Sequence, residues 1–131
     1  QIKSCELRKK LALKLKSLGY KLPVIASQFS VVSKHSIIGE GTTIGHGAVV
    51  NANVKIGINC IVNSLSLIEH DSIIEDFCHI STGSLINGGV TIGKESFIGS
   101  NSMIRENIAI PSHTIIGASR KIMEWPSNDY A

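Results

Sequence analysis

The sequence predicts an all-β fold, a parallel β-helix of hexapeptide repeats, on three observations. An aliphatic residue recurs every six positions: Val32, Ile38, Ile44, Val50, Ile56, Val62, Ile68, Ile74, Ile80, Ile86, Ile92, Ile98, Ile104, Ile110, Ile116 and Ile122, sixteen in an unbroken row. Four residues after each, the side chain is mostly small, as at Thr42, Ala48, Cys60, Ser66, Cys78, Ser84 and Ser102. Glycine often follows the aliphatic position directly, as at Gly39, Gly45, Gly57, Gly93, Gly99 and Gly117. A period of six fits neither an α-helix nor a long alternating strand, but it fits coils of three hexads each. The β-branched residue points inward, and the small one fits the tight inside of the turn. Sixteen hexads make about five coils, a prism roughly 24 Å tall at the usual strand spacing.

Ahead of the prism, residues 3–18 read as an amphipathic helix. Leu7, Leu11, Leu15 and Leu18 fall on one face and the lysines on the other, with Gly19 as the C-terminal cap. Residues 21–26 read as a short strand. Helix and strand bury too little to stand alone, so residues 1–28 form the end of a small α/β unit. Residues 29–122 are the β-helix. Asn87, Gly88, Gly89 and Asn107 mark corners, and Pro111 belongs where its missing N–H does no harm. Residues 123–131 are an irregular tail whose Trp125 covers the open end of the prism.

Aromatic residues make up only 5% of the 131, as a core of stacked Ile and Val requires. No apolar run is long enough to span a membrane, and no signal peptide is visible. Cys60 and Cys78 lie one coil apart at the same small-residue position. They read as reduced core thiols of a cytoplasmic protein, and with Cys5 they make no disulfide framework. The net charge of +3 is uneven. Residues 1–21 carry seven Lys or Arg against Glu6 alone, and the rest carries six against nine acidic residues. No aromatic residues interleave with the basic ones, so a solvated helix face is favoured over nucleic-acid binding.

A regular β-helix needs no histidine, so the five present (35, 46, 70, 79 and 113) carry information. None are 18 apart and none have the short spacing a shared metal needs, so no metal site is expected. One coil on either side of His70 stand Ala52 and Gly88, both tiny, leaving room for a substrate beside the imidazole. Asp71 follows directly, and a carboxylate there fixes the tautomer and stabilises the imidazolium. His70 is therefore the candidate general base.

The Leu- and Lys-rich helix, the Lys-Leu-Pro strand, the β-helix and the run Asn63…Glu69-His70-Asp71…Phe77-Cys78-His79-Ile80-Ser81 together resemble a known family. These are the hexapeptide-repeat sugar acetyltransferases of the sialic-acid O-acetyltransferase and UDP-4-amino-sugar N-acetyltransferase type. The resemblance covers nearly the whole chain. It implies a left-handed β-helix, and residues 1–28 as the end of a nucleotide-sugar-binding domain. It also implies acetyl-coenzyme A as co-substrate, with direct transfer of the acetyl group to the amino group of a nucleotide-linked sugar. His70 corresponds to the general base, Asp71 to the acid that supports it, and His79 to a coenzyme contact, with further coenzyme contacts near Gly99, Ser100 and Ala118. Three features depart from the family pattern: only the last helix and strand of the N-terminal domain are visible, the usual Gly-x-Pro-Ala closing segment is not, and Asp71 is one methylene shorter than Glu. An O-acetyltransferase acting on sialic acid is the alternative within enzymes. A non-catalytic scaffold or ice-binding prism has no use for His70 and Asp71 and lacks ranks of threonine.

No Ser or Cys stands beside a base and an orienting acid, so no acyl-enzyme is expected. Arg120 and Lys121 are candidates for the coenzyme's phosphates. His70 is placed at the corner between the 68 and 74 faces and His79 at the corner between the 74 and 80 faces, about 10–15 Å apart. One small acyl group cannot reach both, so the two would come from neighbouring chains of a homotrimer.

Overall fold

The computed structural model describes residues 4–131. Helix α1 (Glu6–Ser17) precedes a left-handed parallel β-helix of two-residue strands. Its three faces are all-parallel sheets. The first sheet takes Ile25–Ala26, Thr43–Ile44, Ile61–Val62, His79–Ile80, Phe97–Ile98 and Ile115–Ile116. The second takes Val31–Val32, Val49–Val50, Leu67–Ile68, Leu85–Ile86, Met103–Ile104 and Lys121–Ile122. The third takes Ile37–Ile38, Lys55–Ile56, Ile73–Ile74, Thr91–Ile92 and Ala109–Ile110. Strands pair with a shift of 18 residues, as in His79 between Ile61 and Phe97.

The predicted register is the observed one. From Ile44 to Ile122 every sixth residue is no more than 3% exposed. Val32 and Ile38 are half-buried, because they lie in the opening coil and pack on neighbours from one side only. The small inward residues do more than fit. Ser66 Oγ donates to Ser81 O (2.9 Å), Ser84 Oγ to Gly99 O (3.0 Å) and Ser102 Oγ to Gly117 O (2.7 Å), each into the next coil. Cys60 and Cys78 occupy the same position as free thiols and point their Sγ at Glu75 O and Gly93 O. A donor at this position adds a hydrogen bond between coils to a carbonyl of the next one; Ser81 O and Gly99 O also accept from the backbone N–H groups of Ser84 and Ser102.

The third residue after each inward aliphatic has positive φ from Gly41 to Ser119. Gly and Asn adopt this conformation readily, but here Leu65 (62°), Phe77 (59°) and Glu95 (58°) do so as well. The stacked coils on either side impose the corner on whatever residue stands there. Pro111 is harmless for a definite reason. The residue at this position elsewhere donates its N–H to the following coil, as Gly93 does to Ile110 O, and position 111 lies in the last turn.

Helix α1 is shorter than predicted, and Lys3 lies outside the described residues. Gly19 takes the expected positive φ of 87° after the helix. Leu7, Leu11 and Leu15 are partly exposed and line, with Asn59 and Ile61, an open groove between helix and prism, while the helix touches the prism through Ala12, Arg8 and Lys9 and leaves Lys10 and Lys14 exposed. Arg8 donates to Phe77 O (2.9 Å) and Asn59 O (3.3 Å), Lys9 pairs with Glu95 (3.2 Å) and Lys16 with Glu40 (3.2 Å). The corner between the third and first sheets offers carbonyls and carboxylates rather than an apolar surface, so the cationic face docks there. Strand Ile25–Ala26 already pairs with Thr43–Ile44, so the sheets begin at Ile25. At the other end the tail folds back: Gly117 N–H donates to Tyr130 O (2.6 Å), and Trp125 packs against the core and edge-on to Tyr130.

Candidate active site

His70 stands at the corner between the second and third sheets. Its side chain is 65% exposed and that of Asp71 54%. The imidazole Nδ1–H donates to Asp71 Oδ2 at 2.9 Å, leaving Nε2 as the ring's proton acceptor. Asp71 Oδ1 accepts a second bond from Asn53 Nδ2 at 2.5 Å. The Asn53 bond, then the His70 bond, hold the Asp71 carboxyl below its ordinary range. The ring lies against Gly88: a Cβ there would stand 2.8 Å from Cε1 and 2.9 Å from Nε2. One coil on the other side, Asp71 N–H donates to Ala52 O. The corner opens into a cavity of about 430 Å³ lined by Glu69, His70, Asp71, Gly88, Glu106 and Asn107, among others. A proton acceptor beside open space, held through its other nitrogen by an ionised carboxylate, is equipped for general-base chemistry.

His79 is elsewhere, and not at a corner as the spacing suggests. It is the outward residue of strand His79–Ile80 on the first sheet, with Phe97 edge-on at 5.2 Å. Asn63 Nδ2 donates to its Nε2 at 3.3 Å. Gly99, Ser100 and Ala118 lie at the corner between the first and second sheets, which also carries Asn63 and Ser81. Ser81 and Ser100 share a hydroxyl hydrogen bond of 2.8 Å. Gly99 is a close-approach position, since a Cβ would come 2.5 Å from Ala118 N. The structure thus groups His79, Gly99, Ser100 and Ala118 at one edge of the first sheet. It does not bring them to His70 and Asp71, whose corner borders only the other two sheets.

Arg120 is tied to the tail, donating to Asp129 Oδ1 (3.1 Å) and Ala131 O (2.8 Å). His46 meets Ser27 and Phe29, and His113 approaches Glu95 at 3.7 Å. Among the described residues no group of three or more His, Cys, Asp or Glu is placed to hold a metal ion, and no helix is long and apolar enough to cross a membrane. Sequence reasoning missed Asn53. Its signal was available, because it stands one 18-residue coil before Asp71.

No family model and no curated protein matches the chain. Solved structures do. The acetyltransferase domain of PglB from Neisseria gonorrhoeae is 32% identical over 93% of this chain and 60% of that one, with a TM-score of 0.90. The same domain in complex with acetyl coenzyme A is 30% identical over 99% of this chain and 67% of that one, at 0.88. PerB from Caulobacter crescentus, in complex with CoA and GDP-perosamine, is 30% identical over 94% and 59%, at 0.91. The chain spans about three-fifths of the length of most of these relatives.

Proposed function

The chain belongs to the hexapeptide-repeat sugar acetyltransferases, and from that premise we propose that it serves an acetyl-coenzyme A-dependent transfer of acetyl to the amino group of a nucleotide-linked sugar. Two of the structures it resembles hold acetyl coenzyme A or CoA, and one of these also holds GDP-perosamine, a nucleotide-linked amino sugar. The observation that carries the reading is the His70 corner: Nδ1 held by Asp71, Nε2 free to accept, Gly88 beneath and a cavity in front.

In the proposed mechanism the acceptor nitrogen attacks the thioester carbonyl carbon while His70 Nε2 takes its proton. Asp71 stabilises the imidazolium through Nδ1. The tetrahedral oxyanion takes a hydrogen bond from a backbone N–H. Its collapse breaks the C–S bond, and the departing thiolate takes the proton held by His70. No side chain is acylated. His79, Gly99, Ser100 and Ala118 form the coenzyme side. Residues 1–28 end a nucleotide-sugar-binding domain and at Ile25–Ala26 already supply the first strand of the β-helix, residues 29–122 are its catalytic body and residues 123–131 its tail.

The two halves of this site meet only between molecules. The outward column of the second sheet runs Val31, Val49, Leu67, Leu85, Met103 and Lys121, an apolar stripe closed by one lysine and bordered by the His70 corner on one side and the Ser100 corner on the other. Turning this face toward a threefold axis buries the stripe. It also sets the His70 corner of one copy beside the Ser100 corner of the next. We place this homotrimer in the cytoplasm, in keeping with its reduced thiols.

The test is acetyl-coenzyme A consumption against nucleotide-linked amino sugars and sialic acid, comparing the parent with His70→Ala. Turnover of an amino sugar that falls at least a hundredfold in the variant is expected. An unaltered rate would remove His70 from the chemistry, and turnover of sialic acid alone would move the acceptor to oxygen.

A further inference from the structure

The corner between the second and third sheets holds a chain of three side chains, of which the proposed mechanism uses two. Asn53 and Asp71 occupy the same corner position one coil apart, with φ of 61° and 64°. The left-handed backbone throws both side chains outward and parallel. Asn53 Nδ2 reaches Asp71 Oδ1, and Asp71 Oδ2 takes Nδ1–H of His70. Each oxygen of this exposed carboxylate therefore has one assigned donor, and the imidazole rests on Gly88.

We infer that Asn53 is a positioning residue for the transfer reaction, fixing through Asp71 the tautomer and orientation of His70. Without the amide, the Asp71 carboxylate is free to turn about χ1 and χ2, since among the described residues its side-chain hydrogen bonds are those to Asn53 and His70. Asn53 suits the task on two counts. Asn tolerates the left-handed region better than other residues with a side-chain donor. An amide donates without adding charge, so Asp71 stays ionised, in line with the lowered range its carboxyl shows. An acid at position 53 would face Asp71 as a like charge and force the two to share a proton.

The inference rests on the reading of His70 as the base, so the test has a readout that needs no turnover. Imidazole ¹⁵N chemical shifts report the His70 tautomer in the parent, Asn53→Gly and Asn53→Asp. Glycine removes the amide and relieves the positive φ rather than straining it. In the parent the proton is expected on Nδ1, and in Asn53→Gly the two tautomers should mix. The kcat of Asn53→Gly should fall about tenfold with the KM for acetyl-coenzyme A unchanged. In Asn53→Asp the acid limb of the pH–rate profile should move to higher pH. Asn59→Gly, at a left-handed corner remote from His70, should keep the parental rate.

A parental tautomer and parental kcat in Asn53→Gly overturn the inference. So does a lower kcat with the tautomer unmoved, because Asn53 would then act on the fold alone. A parent that turns over no acceptor defeats the functional reading instead, while the ¹⁵N shifts still decide the hydrogen-bond chain.

Discussion

Replacing Gly88 by alanine tests the site with a single methyl group. The added Cβ would stand 2.8 Å from His70 Cε1, 2.9 Å from Nε2 and 3.3 Å from Nδ1. Carbon atoms settle at about 3.5–4.0 Å, so the ring must retreat by roughly 0.7 Å or more. Gly88 has no positive φ, so its backbone accepts alanine. The His70 side chain is 65% exposed and can swing outward without disturbing the core. Stability should therefore change by less than about 0.5 kcal/mol, as for other surface substitutions. The retreat pulls Nδ1 from Asp71 and Nε2 from the acceptor's proton, and a misplacement near 1 Å costs about a hundredfold in rate, some 2.7 kcal/mol of barrier. Thiol release at saturating acetyl-coenzyme A gives kcat, and a melting curve of the same sample gives stability. A Gly88→Ala protein that keeps the parental kcat would refute this placement of the base. One that loses activity only because it melts would refute the claim that Gly88 serves the site rather than the fold.

Three further outcomes follow from the same structure. Ile80→Ala, in a central coil and fully buried, should lower stability by about 4 kcal/mol in chemical denaturation, from lost transfer energy plus the cavity left between packed coils. Leu85→Glu should shift sedimentation from trimer to monomer and abolish turnover, while circular dichroism shows the coils intact; a fully active monomer would end the shared-site reading. Burial raises the Glu95 carboxyl, but bonds from Lys9 and Cys5 and the charges of Lys9 and His113 outweigh it and hold it below its usual range. A carboxyl depressed on folding adds stability above its unfolded value, about 4.3, that is lost as pH falls through the folded value. Melting curves of Glu95→Gln should thus fall less steeply below about pH 4.3 than those of the parent, and an identical slope would show that Glu95 does not hold α1.

The prism was legible in the sequence because its period is a covalent fact. Each coil takes 18 residues, so the inward position recurs at fixed spacing, and the β-branched residues from Ile44 to Ile122 could be named without coordinates. The neighbours of His70 were legible for the same reason, since a coil above and a coil below are simple offsets. Spacing says nothing, however, about where along a side the chain turns. His79 therefore looked like a corner residue, although it lies on a flat strand. The offset of 18 residues puts Asn53 next to Asp71, but the bond between their side chains appears only once both take left-handed backbones. Glycine and asparagine announce some of those corners; Leu65, Phe77 and Glu95 do not.

Helix α1 marks the same boundary. Its leucine stripe is a sequence property, but which stripe faces the prism depends on what the prism presents, and that corner presents Glu40, Glu95 and the carbonyls of Asn59 and Phe77. The amino-acid order alone determined the repeat, the core, the stacked thiols and the imidazole beside a carboxylate, because these depend on local spacing and backbone geometry. Only the tertiary structure decided how the helix docks, which carboxylate oxygen receives which donor, and that His79 lies on a flat strand rather than at a corner. Each of those depends on surfaces that exist only after the coils have stacked.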